Sequence, residues 1–264
     1  KIVPIDKIKL QEYVQKGRVN TLAQAIKKEG VLKNPPIVTN FLNNMYLHLD
    51  GANRITAVSL LKYFNCLVQV VDYSDPSHVH LSSWSHLTTV DKEHFLSSIR
   101  KLPAVTVKEV KRFDHRVLFR PYIICMLAFA DGSVVEVLTK KSFTELAQRM
   151  GSIVDLYANT CVERVFSGSP WTTESIRVRF ERFPEHNLFV AFPTFSPQQV
   201  VTLVDRGVLL PAGVTRHVVY RRKLNVNFPL TYLNIPIEKA NEKLQQFLRH
   251  RTVRLYEEPI IYFE

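Results

Sequence analysis

Cysteine is scarce in this 264-residue chain: Cys66, Cys125 and Cys161 are widely spaced, odd in number and form no Cys-x-x-Cys pair. That pattern excludes a disulfide framework and a cysteine-based zinc site, and it fits a reduced cytoplasm. No apolar run approaches the roughly 20 residues of a membrane span, and no signal peptide is expected. Repeats and low-complexity segments are missing too. The histidines offer no metal centre, because His78, His80 and His86 lack a convincing fourth ligand and read as solvent-exposed loop residues. For haem, neither a Cys-Pro dipeptide nor a Cys-x-x-Cys-His run is present.

What the chain has in excess is positive charge, with 35 Lys and Arg against 24 Asp and Glu and a formal net charge of +11. Such a balance suits either a nucleic acid or a small polyanion such as a nucleotide. Residues 1 to 110 carry 14 basic and 9 acidic side chains and residues 111 to 264 carry 21 and 15, so no basic arm stands out. The densest runs, Arg112 to Arg120 and Arg221-Arg222-Lys223, read first as solvated strand or loop faces.

The most informative stretch is Tyr46 to Ala57, where a period-two apolar strand meets Asp50-Gly51 and runs directly into a helical pattern. Helix-opening amides lack intrahelical partners and carry the positive end of the macrodipole, so a phosphate can sit there with Arg54 as a fork-shaped donor. Asp50 could face the same phosphate through a metal ion. Local geometry leaves a second reading open, an ordinary turn in which Asp50 caps the helix.

Around this junction the pattern predicts a helix from Thr21 ending at Gly30, a strand over Asn34 to Thr39, the helix of Arg54 continuing to Phe64, and a buried strand over Leu67 to Val71. Past Pro103 the texture shifts to longer strands, and a hinge is expected near residues 103 to 112. Ile123 to Phe129 and Val134 to Leu138 flank Asp131-Gly132 as a hairpin. A helix from about Ser142 to Ala158 follows. Strands over Ile176 to Phe180 and Leu188 to Phe192, a helix opened by Ser196-Pro197, strands after Arg216, an amphipathic helix from Ile237 to His250 and a last strand ending near Phe263 complete the prediction. The fold class is α+β.

The order helix, strand, strand, helix, strand, with a Pro36-Ile37-Val38 strand and a Gly51-x-x-Arg54 turn, resembles the ParB/sulfiredoxin-like superfamily over about the first seventy residues. Sulfiredoxin chemistry is excluded, since Ala52 stands where that family has its reactive Cys. Chromosome-partitioning members carry a helix-turn-helix array after the nucleotide domain, whereas mixed strands and helices follow here. The chain is most similar to the free serine kinases, which have Asp-Gly-x-His-Arg at the turn. Ile5-Asp6-Lys7-Ile8-x-Leu10-x-Glu12, Ser83-Trp84-x-His86 and Pro211-Ala212-Gly213-Val214-Thr215-Arg216-His217 extend the similarity over most of the chain. One position departs: Asn53 replaces the family His, keeping a donor but losing a titratable ring.

The resemblance implies a nucleotide-binding domain over residues 1–107 and a mixed α/β lobe over 108–264 that contributes the 211–217 loop. It implies transfer of a phosphoryl group from ATP or ADP to the hydroxyl of free L-serine, giving O-phospho-L-serine for siderophore synthesis of the staphyloferrin B type or for cysteine synthesis. Glu12 would be the catalytic base. Asp50 would hold Mg²⁺ or share in proton transfer, while Gly51, Ala52, Asn53 and Arg54 would meet the phosphates. Thr215, Arg216 and His217 would grip a phosphate or the amino-acid end, and Trp84 would wall the amino-acid pocket. The competing reading is a ParB-like, DNA-binding transcription regulator with nucleotide or haem as effector.

Overall fold

Residues 1–14 and 16–255 are described by the structure, a computed structural model, and the expected strand ending near Phe263 lies outside them. The chain forms two units. The first comprises Lys1–Leu10, Val14–His80 and the chain from Val218 onward, and the second comprises Gln11–Tyr13 and Leu81–His217.

In the first unit the Met45–Asp50 strand pairs antiparallel with Ile37–Phe41 and parallel with Ile8–Lys9, while Gln69–Val70 pairs parallel with Ile37–Phe41, giving a four-stranded sheet. The helix expected from Thr21 is present and starts earlier, at Lys16–Glu29, with Val19, Ala23 and Ile26 buried at helical spacing. The Arg54 helix spans Ala52–Leu60 and stops short of Phe64, because the chain turns through Lys62 at φ 64° and leaves Phe64 73% exposed. The Ile237–Arg249 helix, with Ala240 and Leu244 buried, joins Phe228, Leu230, Leu233 and the first-unit strands and helices in one core.

The second unit is built on a six-stranded antiparallel sheet in the order Val105–Val110, Val134–Thr139, Ile123–Phe129, Leu188–Ala191, Ser85–Thr88, Glu163–Val165. The Asp131-Gly132 hairpin forms as the sequence suggests, and the Ile123–Phe129 strand is buried along its whole length. Phe143–Asp155 and Pro197–Asp205 are both helices opened by a capping box, at Ser142/Glu145 and Ser196/Gln199.

Three expectations are corrected. Ile176 to Phe180 lies in a helix, Thr173–Arg182, not a strand. Apolar residues at 176, 178 and 180 mimic period two, but a Thr172/Ser175 capping box and the Glu174–Arg177–Glu181 ion pairs favour the helix, which buries Ile176 and exposes Val178. Residues 103 to 112 are not a hinge, since Val105–Val110 is the sheet's edge strand, in register with Val134–Thr139. The units also differ from a single division at residue 107. Ser85–Thr88 already belongs to the six-stranded sheet, and the chain after Val218 returns to the first unit. Among the described residues no helix is long and apolar enough to cross a membrane.

Candidate functional site

Gly51 sits at φ 95°, a left-handed conformation that costs an L side chain energy, and it starts the Ala52–Leu60 helix with no side-chain cap. Asp50 therefore does not cap this helix. A Cβ at Gly51 would lie 2.8 Å from Arg54 Nη2, so the missing side chain also makes room for the guanidinium folded over the turn. Arg54 donates from Nη1 to the Asn34 carbonyl at 2.9 Å and from Nη2 to Asp50 Oδ2 at 2.6 Å. Ala52 is buried, so only its backbone can meet a ligand, and Asn53 is half-buried in the first turn.

A second arginine, Arg222, donates from Nη2 to the same Asp50 oxygen. Burial alone would raise the Asp50 carboxyl, but Arg222 and then Arg54 outweigh it, and the group is held below its ordinary value. Burial lowers the Arg54 guanidinium, which nonetheless stays protonated as arginine does in proteins. Sequence reading took Arg221-Arg222-Lys223 as a solvated face and missed Arg222. Its charge density was visible, but nothing local tied it to Asp50. In the other basic run Arg116 pairs with Asp114 at 2.9 Å and Arg120 with Glu136 at 3.8 Å.

Among the described residues no three His, Cys, Asp or Glu side chains group as a metal site. At this turn a divalent cation would find one protein carboxylate, Asp50. Magnesium commonly takes one or two carboxylates together with substrate phosphates, so the donor set fits only if phosphates complete it.

The second cluster lies wholly in the second unit. Glu12 forms a parallel bridge with Leu210, fixed by Leu210 N–H to the Gln11 carbonyl at 2.8 Å and Tyr13 N–H to the Leu210 carbonyl at 3.2 Å. This short ladder holds Glu12 beside the 211–217 loop, about two hundred residues away in sequence, and Gly213 N–H donates to Glu12 Oε2 at 3.4 Å. Gly213 has φ 82°, and a Cβ there would lie 2.2 Å from Arg164 Nε. Buried Gln11 reaches His217 Nδ1 through its side-chain nitrogen at 3.5 Å.

Arg216 is clasped between two rings, its Cζ 5.1 Å from the Trp84 centroid and 3.9 Å from that of Phe166. The two rings, set edge-to-face at 81°, restrain the guanidinium from two sides by cation–π contact. Burial lowers its affinity for the proton, though it remains a cation. Trp84 is half-buried, and its backbone N–H donates to the Val214 carbonyl at 2.8 Å, tying the ring's strand to the loop. Thr215 is buried beside these groups in sequence, at 8% exposure.

His86 overturns the expectation of an exposed loop histidine: it is 2% exposed on the Ser85–Thr88 strand. His78 and His80 are exposed as expected. Nε2 of His86 lies 2.8 Å from the Gly213 carbonyl and Nδ1 lies 2.9 Å from the Tyr157 hydroxyl. Burial, helped by Arg164 and opposed by the Gly213 carbonyl, pushes His86 down to about 4, so the ring is neutral near pH 7. A carbonyl can only accept, hence Nε2 carries the hydrogen and Nδ1 accepts from Tyr157. The run Tyr157, His86, Gly213, Glu12 is thus a chain of hydrogen bonds from the interior to a carboxylate. Every residue of the Ser85–Thr88 strand is buried, so no alternation in the sequence marked His86 as inward-facing.

No protein-family model matches the chain. It is 25% identical over 242 residues, 88% of its length and 83% of the relative's, to the ATP-dependent L-serine kinase SbnI of Staphylococcus aureus. It is 31% identical over 114 residues to an ATP-dependent L-serine kinase of Staphylothermus marinus, a match covering 43% of this chain and 44% of that protein. Among solved structures, C-terminally truncated SbnI from Staphylococcus aureus superposes with TM-score 0.72 at 20% identity, covering 94% of this chain and 95% of the other. A free serine kinase in complex with AMP superposes equally, TM-score 0.72 at 16% identity, covering 88% and 92%. The chain shares their fold, and its similarity in both sequence and structure is to L-serine kinases.

Proposed function

We propose that this protein is a free L-serine kinase with a ParB/sulfiredoxin-like nucleotide-binding fold, transferring the terminal phosphoryl group of a nucleotide to the serine hydroxyl. The observation that carries the reading is the backbone ladder that locks Glu12 onto the 211–217 loop. It sets a carboxylate beside Gly213, on the loop that also carries Thr215, Arg216 and His217, groups suited to an amino acid's own ends. Relatives named ATP-dependent L-serine kinases support ATP as the donor.

The chemistry falls to a few groups, because phosphoryl transfer needs positioning and charge more than covalent work. Glu12 accepts the hydroxyl proton as the serine oxygen forms its bond to phosphorus and the bond to the nucleotide breaks. Arg216, packed against Trp84 and Phe166, pairs with the substrate carboxylate, and Thr215 and His217 add hydrogen bonds. Arg54 and the amides that open the Ala52–Leu60 helix neutralise charge on the phosphates. Asp50 is the residue that would hold Mg²⁺, which when bound neutralises phosphate charge. Asn53, where similar kinases carry His, donates a hydrogen bond without titrating. The product bears a phosphate leaving group on its β-carbon, which is what siderophore or cysteine synthesis would draw on in displacing it with a nucleophile.

The test is direct. Incubated with L-serine, Mg²⁺ and ATP or ADP, the protein should produce the phosphorus resonance of O-phosphoserine, dependent on serine and on one of the two donors. Silence with both donors would remove the reading, and sequence-selective DNA retention that weakens steeply with salt would point to a DNA-binding regulator instead.

A further inference from the structure

Arg222 stands 172 residues from Asp50 in sequence and donates to it in the fold. The backbone that delivers it is costly. Arg221, Asn225 and Asn227 all lie at φ 52°, in the left-handed region; asparagine enters it readily, but Arg221 does so only when its surroundings fix it there. Those surroundings are specific. The Gln69 side chain accepts from Lys223 N–H at 2.8 Å and donates to the Arg221 carbonyl at 3.3 Å, clamping the backbone on both sides of Arg222. Asn34 Oδ1 accepts from Asn225 N–H at 2.9 Å, while the Asn34 carbonyl accepts from Arg54. Asn34 therefore holds the Arg54 guanidinium and the loop that carries Arg222.

The charge at this corner does not balance. Two guanidinium groups share one oxygen of one carboxylate, leaving about one positive charge, and the adjacent helix begins with no side-chain cap to answer its dipole. A half-exposed ion pair contributes little stability, so pairing Asp50 does not account for a strained, doubly clamped loop. A polyphosphate does account for it, since its oxygens take fork-shaped donors from more than one side and supply the missing negative charge.

We propose that Arg222 is a second arginine of the phosphate site, resting on Asp50 in the free protein and transferring to the terminal phosphates of a nucleoside di- or triphosphate. The proposal rests on the reading of the Asp50–Arg54 turn as a nucleotide site and adds the residue that senses how many phosphates are present. Arg54, folded over Gly51, stays at the turn, and Arg222 reaches the outer phosphates.

Calorimetric titration of the full chain with AMP, ADP and ATP in EDTA tests this, with any metal role of Asp50 set aside. Arg222→Gln should weaken ATP and ADP roughly 10- to 100-fold, as expected for charge-assisted hydrogen bonds, and weaken AMP far less. Arg222→Lys, keeping charge without the fork, should fall between. In an Asp50→Asn background, where both arginines are released, adding Arg222→Gln should still cost ATP affinity. Should Arg222→Gln bind ATP, ADP and AMP as the parent does while melting at a lower temperature, Arg222 is only the partner of Asp50 and the proposal is wrong. If the parent itself binds no nucleotide, the reading of the turn fails and the proposal fails with it, a separate outcome from the first.

Discussion

The phosphate turn and the Glu12 cluster are built from opposite materials. The turn is an arrangement of charges, two arginines on one half-exposed carboxylate, with Asp50 to Arg54 contiguous in sequence. The Glu12 cluster is an arrangement of hydrogen bonds and aromatic rings around one carboxylate, Glu12, and one guanidinium, Arg216, gathered from residues 11–13, 84–86, 157, 164–166 and 213–217. The first kind of site attracts a polyanion from solution and is sensitive to salt. The second fixes one carboxylate and one guanidinium in place, and its strength lies in burial. The proposed kinase divides its labour accordingly, with charge for the nucleotide and geometry for the amino acid.

The largest effect at the turn should come from Arg54→Ala. Loss of a preorganised donor to developing charge predicts a fall of about 100- to 1,000-fold in kcat/KM for the nucleotide, with KM for serine nearly unchanged, measurable by steady-state kinetics. A parallel loss in serine KM would break the division between the regions.

Next comes His86→Gln. It leaves Tyr157 and the Gly213 carbonyl with poorer partners inside the protein, so thermal melting should fall by several degrees, and kcat by roughly tenfold as Glu12 loses its fixed neighbour. Turnover at the parent's rate would show that the hydrogen-bond chain is structural only.

Acidity separates the regions further. The folded pKa of His86 is depressed to about 4 from an ordinary 6.5, so its contribution to stability is fully present above pH 6.5 and is lost as pH falls toward 4. Asp50 is also depressed, but from 3.8, so its contribution is lost only at lower pH. Melting temperature against pH should therefore fall between pH 6.5 and 4 in the parent and less steeply in His86→Gln, whereas Asp50→Asn should leave that slope unchanged.

The smallest effect is expected from Asn53→His. The substitution restores a ring found in similar kinases at a half-buried position of an uncapped helix start, and it should change kcat by no more than a few-fold, as read by initial rates. A change of 100-fold would mean that Asn53 sets the chemistry.

How much of this was legible in the sequence follows from the same contrast. The turn could be read because strand, Asp-Gly and helix succeed one another within twelve residues and each has a local signature. Arg222 could not, because a loop clamped by Gln69 and Asn34 leaves no spacing rule. Glu12 and the 211–217 loop were singled out only through a resemblance, since a two-residue ladder bridging two hundred positions has no periodicity. Ile176 to Phe180 shows how local pattern fails when apolar spacing at 176 and 180 suits a strand and a helix equally and a cap decides. The hinge expected near 103 to 112 failed because its edge strand is half-polar and looked like a linker.

The measurement that reaches the centre of the account is the turnover of Glu12→Gln beside its affinity for serine and nucleotide. An amide keeps the contact with Gly213 in size but cannot take a proton, so phosphoserine formation should fall roughly 100- to 10,000-fold while both affinities stay within a few-fold of the parent. Undiminished turnover in a folded Glu12→Gln protein would contradict it.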